Sequence, residues 1–386
     1  MIQLSKLAVN GGRPVSDKKI PLVKPTFSQK DADDITKILK SAYVRMGPYT
    51  KEFEDKFAAR VGAKYAYAVS NGTAALHCAY LSTLKPGDEV IAPAFTFIAT
   101  ISTVIYSNAR PILVDVDPHT FLLDPEKVKE KITNKTRAIA PVHLFGNSCD
   151  MKSLTEIAED HDLLIINDCA QAHGTEYDNN DLGAWPDISC YSFYPTKTMT
   201  TGEGGIVTTD DAELNRLGSL IRSHGDDGRY HHIIFGLNYR ITDIMSAIGL
   251  NQLSQLDQFL KKRRHNAEVL LKGLKKIDGV DPQKITDKTN PSYSYFSVTL
   301  DPDIIHCSRD DFMKALIAEN IDCGVHYPAS LTKQPIVEQL LKPNPCPASE
   351  DLSRTIMSLP MHPYLSGDDL LKVIEGVEKI ASFYTK

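Results

Sequence analysis

Short apolar runs alternate with amphipathic stretches between residues 64 and 209 of the chain. The runs have the length and composition of strands, and the stretches between them have the spacing of helices. One such stretch, "DPEKVKEKI", offers Asp124 as an N-cap and Pro125 in the first helical turn. This alternation favours an α/β fold whose mainly parallel sheet is covered by helices on both faces. The runs that predict strands are "KYAYAVS", "DEVIAPAF", "ARPILVDVD", "TRAIAPVHLFG", "DLLIINDCA" and "DISCYSFYP".

The later part of the chain has a different pattern. A periodic stretch from Thr242 to about Lys276 predicts one or two helices, and the segments "SYFSVTL", "SRDDFMKALIAEN" and "DCGVHYP" then suggest a smaller α+β unit. A length of 386 residues allows two to three domains. We therefore predict an N-terminal arm (1–30), a large α/β domain (31–260) and a small C-terminal α+β domain (261–386).

Composition argues against several classes of protein. The net charge of −6 gives no basic footprint for nucleic acid, and the basic run from Lys261 to Arg264 is better explained as the wet face of a helix. Seven cysteines without a C-x-x-C pair do not form a disulfide pattern, which fits a reducing compartment. The start of the chain lacks the apolar run of a signal peptide, and no segment resembles a membrane span. We expect a cytoplasmic protein with no nucleic-acid or membrane partner.

One lysine, Lys197, follows a predicted strand in the segment "SFYPTKTMTTGEGG". Burial disfavours the charged form of an amine, so a lysine in such a place can attack a carbonyl group and form a Schiff base. The alternative is an ordinary surface lysine. The segment is not a nucleotide-binding P-loop, because it lacks the lysine and the Ser/Thr of that motif at the required spacing.

Residues with complementary chemistry lie where other predicted strands end. Asp168 could hold a pyridinium nitrogen protonated, and Gly72 and Thr73 could present backbone N–H groups to a phosphate at a helix start. Ser192 could add a further donor, and Phe97 could stack on a flat ring. Such groups predict a site for pyridoxal 5'-phosphate (PLP). Taken singly, the acid could be a strand-end cap, the glycine a plain turn and the phenylalanine a core residue, so the prediction depends on their joint order.

The chain resembles the DegT/DnrJ/EryC1/StrS family of PLP-dependent sugar aminotransferases, which belong to the fold-type I, aspartate-aminotransferase-like enzymes. The resemblance covers nearly the whole chain. It implies a large domain with a mainly parallel, seven-stranded sheet and a smaller C-terminal domain. The segments that carry it include "SNGTAALHCAY", "PAFTFIATISTV", "DCAQAHG", "SFYPTKTMTTGEGG", "GLNYRITDIMSAIGL", "GVHYP" and "SLPMHPYL".

The resemblance implies a role for each matching residue. Lys197 matches the lysine that bonds to the cofactor, and Asp168 matches the partner of its ring nitrogen. Gln171 matches a glutamine near the phenolic oxygen, and Asn238 matches an asparagine that reaches the phosphate of the neighbouring subunit. A homodimer with shared active sites is therefore implied. The other cofactor positions are Gly72, Thr73, Phe97 and Ser192, and the weaker substrate positions are Arg240, His326 and Tyr327.

One residue next to Asp168 departs from the family pattern, and three histidines allow more than one interpretation. The family usually has Glu where this chain has Asn167, and strand alternation places that side chain away from the cofactor. His173 could line the pocket or could be a structural histidine. The adjacent pair His231 and His232 has no supporting ligand cluster, so we expect no metal.

The activity implied by the resemblance is transamination. Related proteins that remove a sugar hydroxyl instead have histidine in place of the lysine, whereas this chain keeps Lys197. An amino donor, in the family usually L-glutamate, would convert PLP to pyridoxamine 5'-phosphate, which would then aminate a keto sugar, commonly nucleotide-linked. Two alternatives stay open: a PLP-dependent sugar dehydratase or lyase, and a PLP-binding regulatory protein without turnover.

Overall fold

The structure is a computed structural model that describes residues 6–385. A seven-stranded sheet has the strand order β1-β9-β8-β5-β4-β2-β3, and two three-stranded sheets have the orders β10-β12-β13 and β11-β6-β7. The strands are β1 (Tyr65–Val69), β2 (Glu89–Pro93), β3 (Arg110–Val114), β4 (Thr136–Ile139), β5 (Leu164–Asp168), β6 (Glu176–Tyr177), β7 (Asn180–Asp181), β8 (Ile188–Ser192), β9 (Gly205–Thr209), β10 (Val280–Pro282), β11 (Thr289–Asn290), β12 (Phe296–Leu300) and β13 (Ile356–Leu359).

Several α-helices begin with a side-chain cap that the local sequence supplies. Asp124 accepts a hydrogen bond from the Glu126 N–H at 2.9 Å, as its position before Pro125 predicts. The helices are α1 (Gln29–Ser41), α2 (Pro48–Val61), α3 (Gly72–Thr83), α4 (Ala99–Tyr106), α5 (Pro125–Lys129), α6 (Met151–Asp160), α7 (Ala212–Arg222), α8 (Asp243–Leu253), α9 (Leu256–Leu274), α10 (Arg309–Ala318), α11 (Pro335–Leu341), α12 (Pro347–Thr355) and α13 (Gly367–Tyr384). Short 3-10 turns lie at Ala8–Asn10, Leu144–Gly146, Leu182–Ala184 and Leu331–Lys333.

The large sheet is buried on both faces. In β2, Val90 and Ala92 pack into one hydrophobic cluster, while Ile91 between them packs into the other. Successive residues of a strand point to opposite faces, so the apolar run of β2 fills two cores at once. Strand β9 is antiparallel to both β1 and β8, and the remaining strands pair in parallel. The expected α/β fold with a mainly parallel seven-stranded sheet is confirmed.

A third hydrophobic cluster lies around the antiparallel sheet β10-β12-β13. Phe296, Val298 and Leu300 of β12 pack there with residues of α13 and α10. The start of the described chain lies against this unit, because the buried Glu319 carboxylate accepts the backbone N–H groups of Ala8 and Val15 at 2.9 Å each. Further along the arm, Ile20 forms an isolated bridge with Ile321.

The predicted division into an arm (1–30), a large domain (31–260) and a small domain (261–386) stays a prediction. Residue 260 lies inside the continuous helix α9 (Leu256–Leu274), which joins the two cores. The predicted stretch from Thr242 to Lys276 contains two helices, α8 and α9. Among residues 6–385, no helix combines the length and apolarity that a membrane crossing requires.

Candidate active site

An open cavity of about 880 Å³ lies beyond the carboxyl ends of the parallel strands. Its walls come from the segments that follow β1, β2, β5 and β8, as expected for ligand sites in open α/β sheets. Residues that follow β12 in the chain close one side. The structure thus brings nine of the predicted residues to one cavity: Gly72, Thr73, Phe97, Asp168, Gln171, Ser192, Lys197, His326 and Tyr327.

Three other predicted residues do not line this cavity. Asn238 is exposed on the segment between α7 and α8, outside the site of its own chain. Arg240 is half-buried and forms a backbone bridge with Val69 of β1. His173 is 1% exposed and packs against the rings of Tyr191 and Phe193, with centroid distances of 5.4 Å and 5.5 Å. His173 therefore packs in the core beside the cavity, and neither of its ring nitrogens has a hydrogen-bond partner among the described residues.

Lys197 lies in the turn that follows β8. Its backbone N–H donates to the Tyr194 carbonyl at 2.9 Å, which fixes the turn and directs the side chain into the cavity wall. Burial of the amine lowers the pKa of Lys197 to about 8, and the negative charge of Asp168 partly opposes this shift. An amine with this pKa is a nucleophile and a proton acceptor near neutral pH.

Asp168 is the last residue of β5, and 5% of it is exposed. One carboxylate oxygen accepts the Thr100 hydroxyl at 2.8 Å, and the other accepts the Ala170 N–H at 3.1 Å. Burial raises the pKa of Asp168, while the two donors and the Lys197 charge act in the opposite direction. The site therefore contains a fixed carboxylate that retains lone pairs for a further donor.

The start of α3 forms a second polar region of the cavity. Asn71 is the N-cap, and its side chain accepts the Ala74 N–H at 2.8 Å. The N–H groups of Gly72 and Thr73 have no partner within the helix and lie at the positive end of its dipole. A Cβ atom on Gly72 would lie 2.6 Å from Cβ of Ser192, so only glycine lets the helix start approach the end of β8 this closely. This arrangement suits a phosphate group.

Gln171 connects the strand end to the far wall of the cavity. Its side-chain oxygen accepts the Phe145 N–H at 2.8 Å, and its amide nitrogen donates to the Tyr327 hydroxyl at 3.0 Å. The second amide hydrogen stays available to a ligand oxygen. Phe97 is 54% exposed, and its ring centroid lies 5.9 Å from that of Tyr327. An exposed aromatic face at a cavity wall can stack on a flat ring.

His326 forms part of the same far wall. Its ring packs on Tyr295 at a centroid distance of 4.2 Å, and the Tyr295 hydroxyl donates to Thr196 at 2.8 Å. Burial, together with the positive charge of Lys197, lowers the pKa of His326 to about 4. This histidine is therefore neutral at physiological pH and adds no positive charge to the cavity.

Asn167 precedes Asp168 but lies on the opposite face of β5. It is fully buried, and its amide nitrogen donates to the Pro186 carbonyl at 3.1 Å and the Ser189 hydroxyl at 3.2 Å. Its side-chain oxygen lies 3.3 Å from a ring nitrogen of His143. As expected from strand alternation, this departure from the family pattern does not face the cavity.

The residues present fit PLP by the chemistry of their donor groups. The cavity offers one group to each functional part of this cofactor. These groups are an amine, a carboxylate, an exposed aromatic face and the start of a helix whose first residue is glycine. The fit includes close packing, because the Gly72 and Ser192 backbones approach without room for a side chain. In residues 6–385, no three His, Cys, Asp or Glu side chains cluster in a way that could hold a metal ion.

Several lining residues were missed by sequence reasoning. Thr96 lies next to Phe97 in the segment "PAFTFIATISTV" and could have been found there. Tyr194 and Glu203 lie in the segment around Lys197, where neither residue type signals a site by itself. Tyr295 is distant in sequence from these segments and joins the cavity only through folding, whereas Tyr239 lies between the predicted residues Asn238 and Arg240 and could have been found there.

Comparison with known proteins shows the family to which the chain belongs. The DegT/DnrJ/EryC1/StrS aminotransferase family matches residues 25–378. GDP-perosamine synthase of Escherichia coli O157:H7 is 35% identical over 370 residues, covering 95% of this chain and 99% of that protein.

Two solved structures are similar over nearly the whole chain. DesV of S. venezuelae, in complex with a ketimine intermediate, has a TM-score of 0.90 at 32% identity and covers 94% of this chain and 99% of that one. The PLP form of Spr1654 from Streptococcus pneumoniae has a TM-score of 0.88 at 25% identity and covers 95% and 100%, respectively. The chain therefore belongs to the DegT/DnrJ/EryC1/StrS aminotransferase family and is a PLP-dependent sugar aminotransferase.

Proposed function

We propose that this protein transfers an amino group from L-glutamate to the keto group of a nucleotide-linked sugar, with PLP bonded to Lys197. The observation that carries the proposal is that Lys197 and Asp168 line the same cavity as the start of α3. The names of relatives support the substrate class, since GDP-perosamine synthase names a nucleotide-linked product.

In the proposed arrangement, each group of the cofactor has a residue of this chain. Asp168 would pair with the ring nitrogen, Gln171 would donate to the phenolic oxygen, and Phe97 would stack on the ring. The phosphate would lie at the start of α3, against the N–H groups of Gly72 and Thr73 and the hydroxyl of Ser192. When bound, PLP supplies an aldehyde that exchanges amino groups and a ring that accepts electrons from the reacting carbon.

The chain's own contribution to the reaction is proton transfer at Lys197. Its pKa, lowered to about 8 by burial, leaves a useful uncharged fraction near neutral pH, which a general base requires. The Thr100 hydroxyl and the Ala170 N–H would hold Asp168 in place while the charge on the cofactor ring changes. The neutral His326 and the hydroxyl of Tyr327 are proposed to contact the substrates. Arg240 and His173, the other two substrate positions that the resemblance implies, do not line the cavity.

We further propose a homodimer in which Asn238 of one subunit reaches the phosphate region of the other. Asn238 is exposed and lies outside the cavity of its own chain. The segment that leads to it presents large exposed apolar side chains, including Tyr230 at 89% and Phe235 at 106%. Exposed apolar side chains concentrated in one segment are typical of an interface, and a second copy of the chain is the partner that the family implies.

The experiment is a pair of half-reactions on the PLP-loaded protein. Adding L-glutamate should convert the visible absorbance of bound PLP to that of pyridoxamine phosphate and release one 2-oxoglutarate per site. Adding 3-keto or 4-keto hexoses linked to GDP, UDP or dTDP should then restore the PLP spectrum and yield an amino sugar, detected by mass. Matched incubations with the Lys197→Ala variant serve as the control.

Each alternative has its own outcome in this experiment. A dehydratase or lyase would consume the keto sugar without incorporating nitrogen. A regulatory protein would bind PLP but convert no amino donor. Conversion of another amino acid in place of glutamate would correct the donor alone.

A further inference from the structure

A chain of hydroxyl groups leads from the cavity wall to Asp168. The Thr96 and Thr100 hydroxyl oxygens lie 3.1 Å apart, and the Thr100 hydroxyl lies 2.8 Å from a carboxylate oxygen of Asp168. The three residues are almost fully buried, with exposures of 2%, 0% and 5%, respectively. Thr96 precedes α4 and Thr100 is the second residue of that helix. Neither was a predicted site residue.

The direction of these hydrogen bonds follows from the charge of Asp168. An ionised carboxylate can only accept, so the single hydroxyl hydrogen of Thr100 is committed to Asp168. The Thr100 oxygen must then accept from Thr96, although the distance between them alone does not assign the donor. The hydrogen bonds therefore all run in one direction: Thr96 donates to Thr100, and Thr100 donates to Asp168. If Asp168 were protonated, its own hydroxyl could donate to Thr100, and the direction of these hydrogen bonds would no longer be fixed.

The backbone around Thr100 is held in place independently of its side chain. Its N–H donates to the Phe97 carbonyl at 3.2 Å, and its carbonyl accepts the Tyr80 hydroxyl at 3.3 Å. Tyr80 is itself fully buried in α3. The Thr100 hydroxyl is therefore presented to Asp168 by two helices that also carry other walls of the site.

We propose that Thr100, supported by Thr96, is a positioning residue that keeps the Asp168 carboxylate ionised and correctly oriented toward the ring nitrogen of the cofactor. The inference rests on the proposed role of Asp168. Its physical reason is that a buried carboxylate loses hydration and needs fixed donors in exchange. The charge of Lys197 also favours the ionised acid, but it changes when the amine bonds to an aldehyde. The Thr100 and Ala170 donors remain unchanged by that bond.

The test compares three variants in PLP binding and its pH dependence. Thr100→Val removes the hydroxyl at nearly constant volume, and Thr100→Ser restores it. Thr103→Val is the matched control, because Thr103 is also buried in α4 but its hydroxyl bonds only to the Ala99 carbonyl. PLP affinity is measured by absorbance titration of the cofactor-free protein from acidic to neutral pH, and thermal melting of each cofactor-free variant reports on folding.

For Thr100→Val we expect about ten-fold weaker PLP binding, the size of one lost hydrogen bond to a charged group. The pH below which affinity falls should also move upward, because Asp168 without this donor takes up a proton more readily. Thr100→Ser should restore both properties, and Thr103→Val should leave both unchanged. If Thr100→Val does not fold, Thr96→Val replaces it, with a smaller loss and a pH shift in the same direction.

Unchanged affinity and pH dependence in Thr100→Val would overturn the inference. The same would follow if Thr100→Ser failed to restore binding, or if Thr103→Val caused an equal loss, since either result would indicate general damage to α4. Failure of the wild-type protein to bind PLP is a different outcome, because it would remove the proposed function itself.

Discussion

Replacing Gly72 by alanine tests the close approach between the start of α3 and the end of β8. The new Cβ would lie 2.6 Å from Cβ and 3.1 Å from Oγ of Ser192, whereas ordinary contacts begin at 3.4 Å. The two elements must therefore separate by about 0.8 Å, the difference between 3.4 Å and 2.6 Å. The separation would displace the helix N–H groups from the proposed phosphate position, which they would share with Ser192.

The expected size follows from two opposing effects. Overpacking of a close-packed contact costs about 1–3 kcal/mol. Loss of backbone freedom in the unfolded chain returns about 0.4–1 kcal/mol when glycine is replaced in a helix. We expect Gly72→Ala to lower the free energy of unfolding of the cofactor-free protein by about 1–2 kcal/mol. PLP affinity should fall at least about ten-fold, because donors to a charged phosphate are misplaced.

Gly367 provides the matched control. Like Gly72, it is the first residue of a helix after an N-cap, but a Cβ there would meet nothing within 4 Å. Gly367→Ala should leave PLP affinity unchanged and raise stability slightly. Urea unfolding and absorbance titration with PLP measure both effects. If Gly72→Ala matched Gly367→Ala in stability and affinity, the close-approach argument would be refuted.

Three further predictions concern the amine, the subunit contact and the far wall of the cavity. The rate at which cofactor-free protein captures PLP covalently should rise with pH through a midpoint near 8, since an amine becomes reactive as it loses its proton; a midpoint near the ordinary 10.5 would contradict this in a stopped-flow series. Asn238→Ala should weaken PLP retention about ten-fold in equilibrium dialysis, whereas a substitution of Asn134, which is also exposed, should not; equal retention in the two variants would exclude the proposed contact. Tyr327→Phe should cost about 1–2 kcal/mol in urea unfolding, because the buried Gln171 amide loses its acceptor; unchanged stability would show that the bond contributes nothing.

The parts of the fold that sequence could predict are those with a local signal. The apolar runs show where β1, β2, β3, β4, β5 and β8 lie, although most of the runs extend beyond the strands, and Asp124 shows its cap. Strands β6, β7 and β11 have two residues each, which is too short to show the alternation of apolar and polar residues that marks a strand. The antiparallel placement of β9 between β1 and β8 depends on pairing across the sheet, which no local pattern encodes.

The same distinction holds for the site. Lys197, Asp168 and Gly72 end or follow predicted strands, so the rule for open α/β sheets brought them together before any geometry was known. Tyr295 enters the cavity from the position just before β12, and no motif marks it. Tyr239 lies between the predicted residues Asn238 and Arg240, but its residue type alone does not signal a site. The Thr100 hydroxyl could not be assigned to Asp168 without a distance. Asn238 requires a second chain, so its role stays a prediction.

The most direct test of the account is borohydride reduction of the PLP-loaded protein followed by peptide mass mapping. We predict one phosphopyridoxyl group per chain, on the peptide that contains Lys197, and no label in the Lys197→Ala variant under the same conditions. An unchanged mass, or a label on a different lysine, would contradict the claim that this amine bonds to the cofactor.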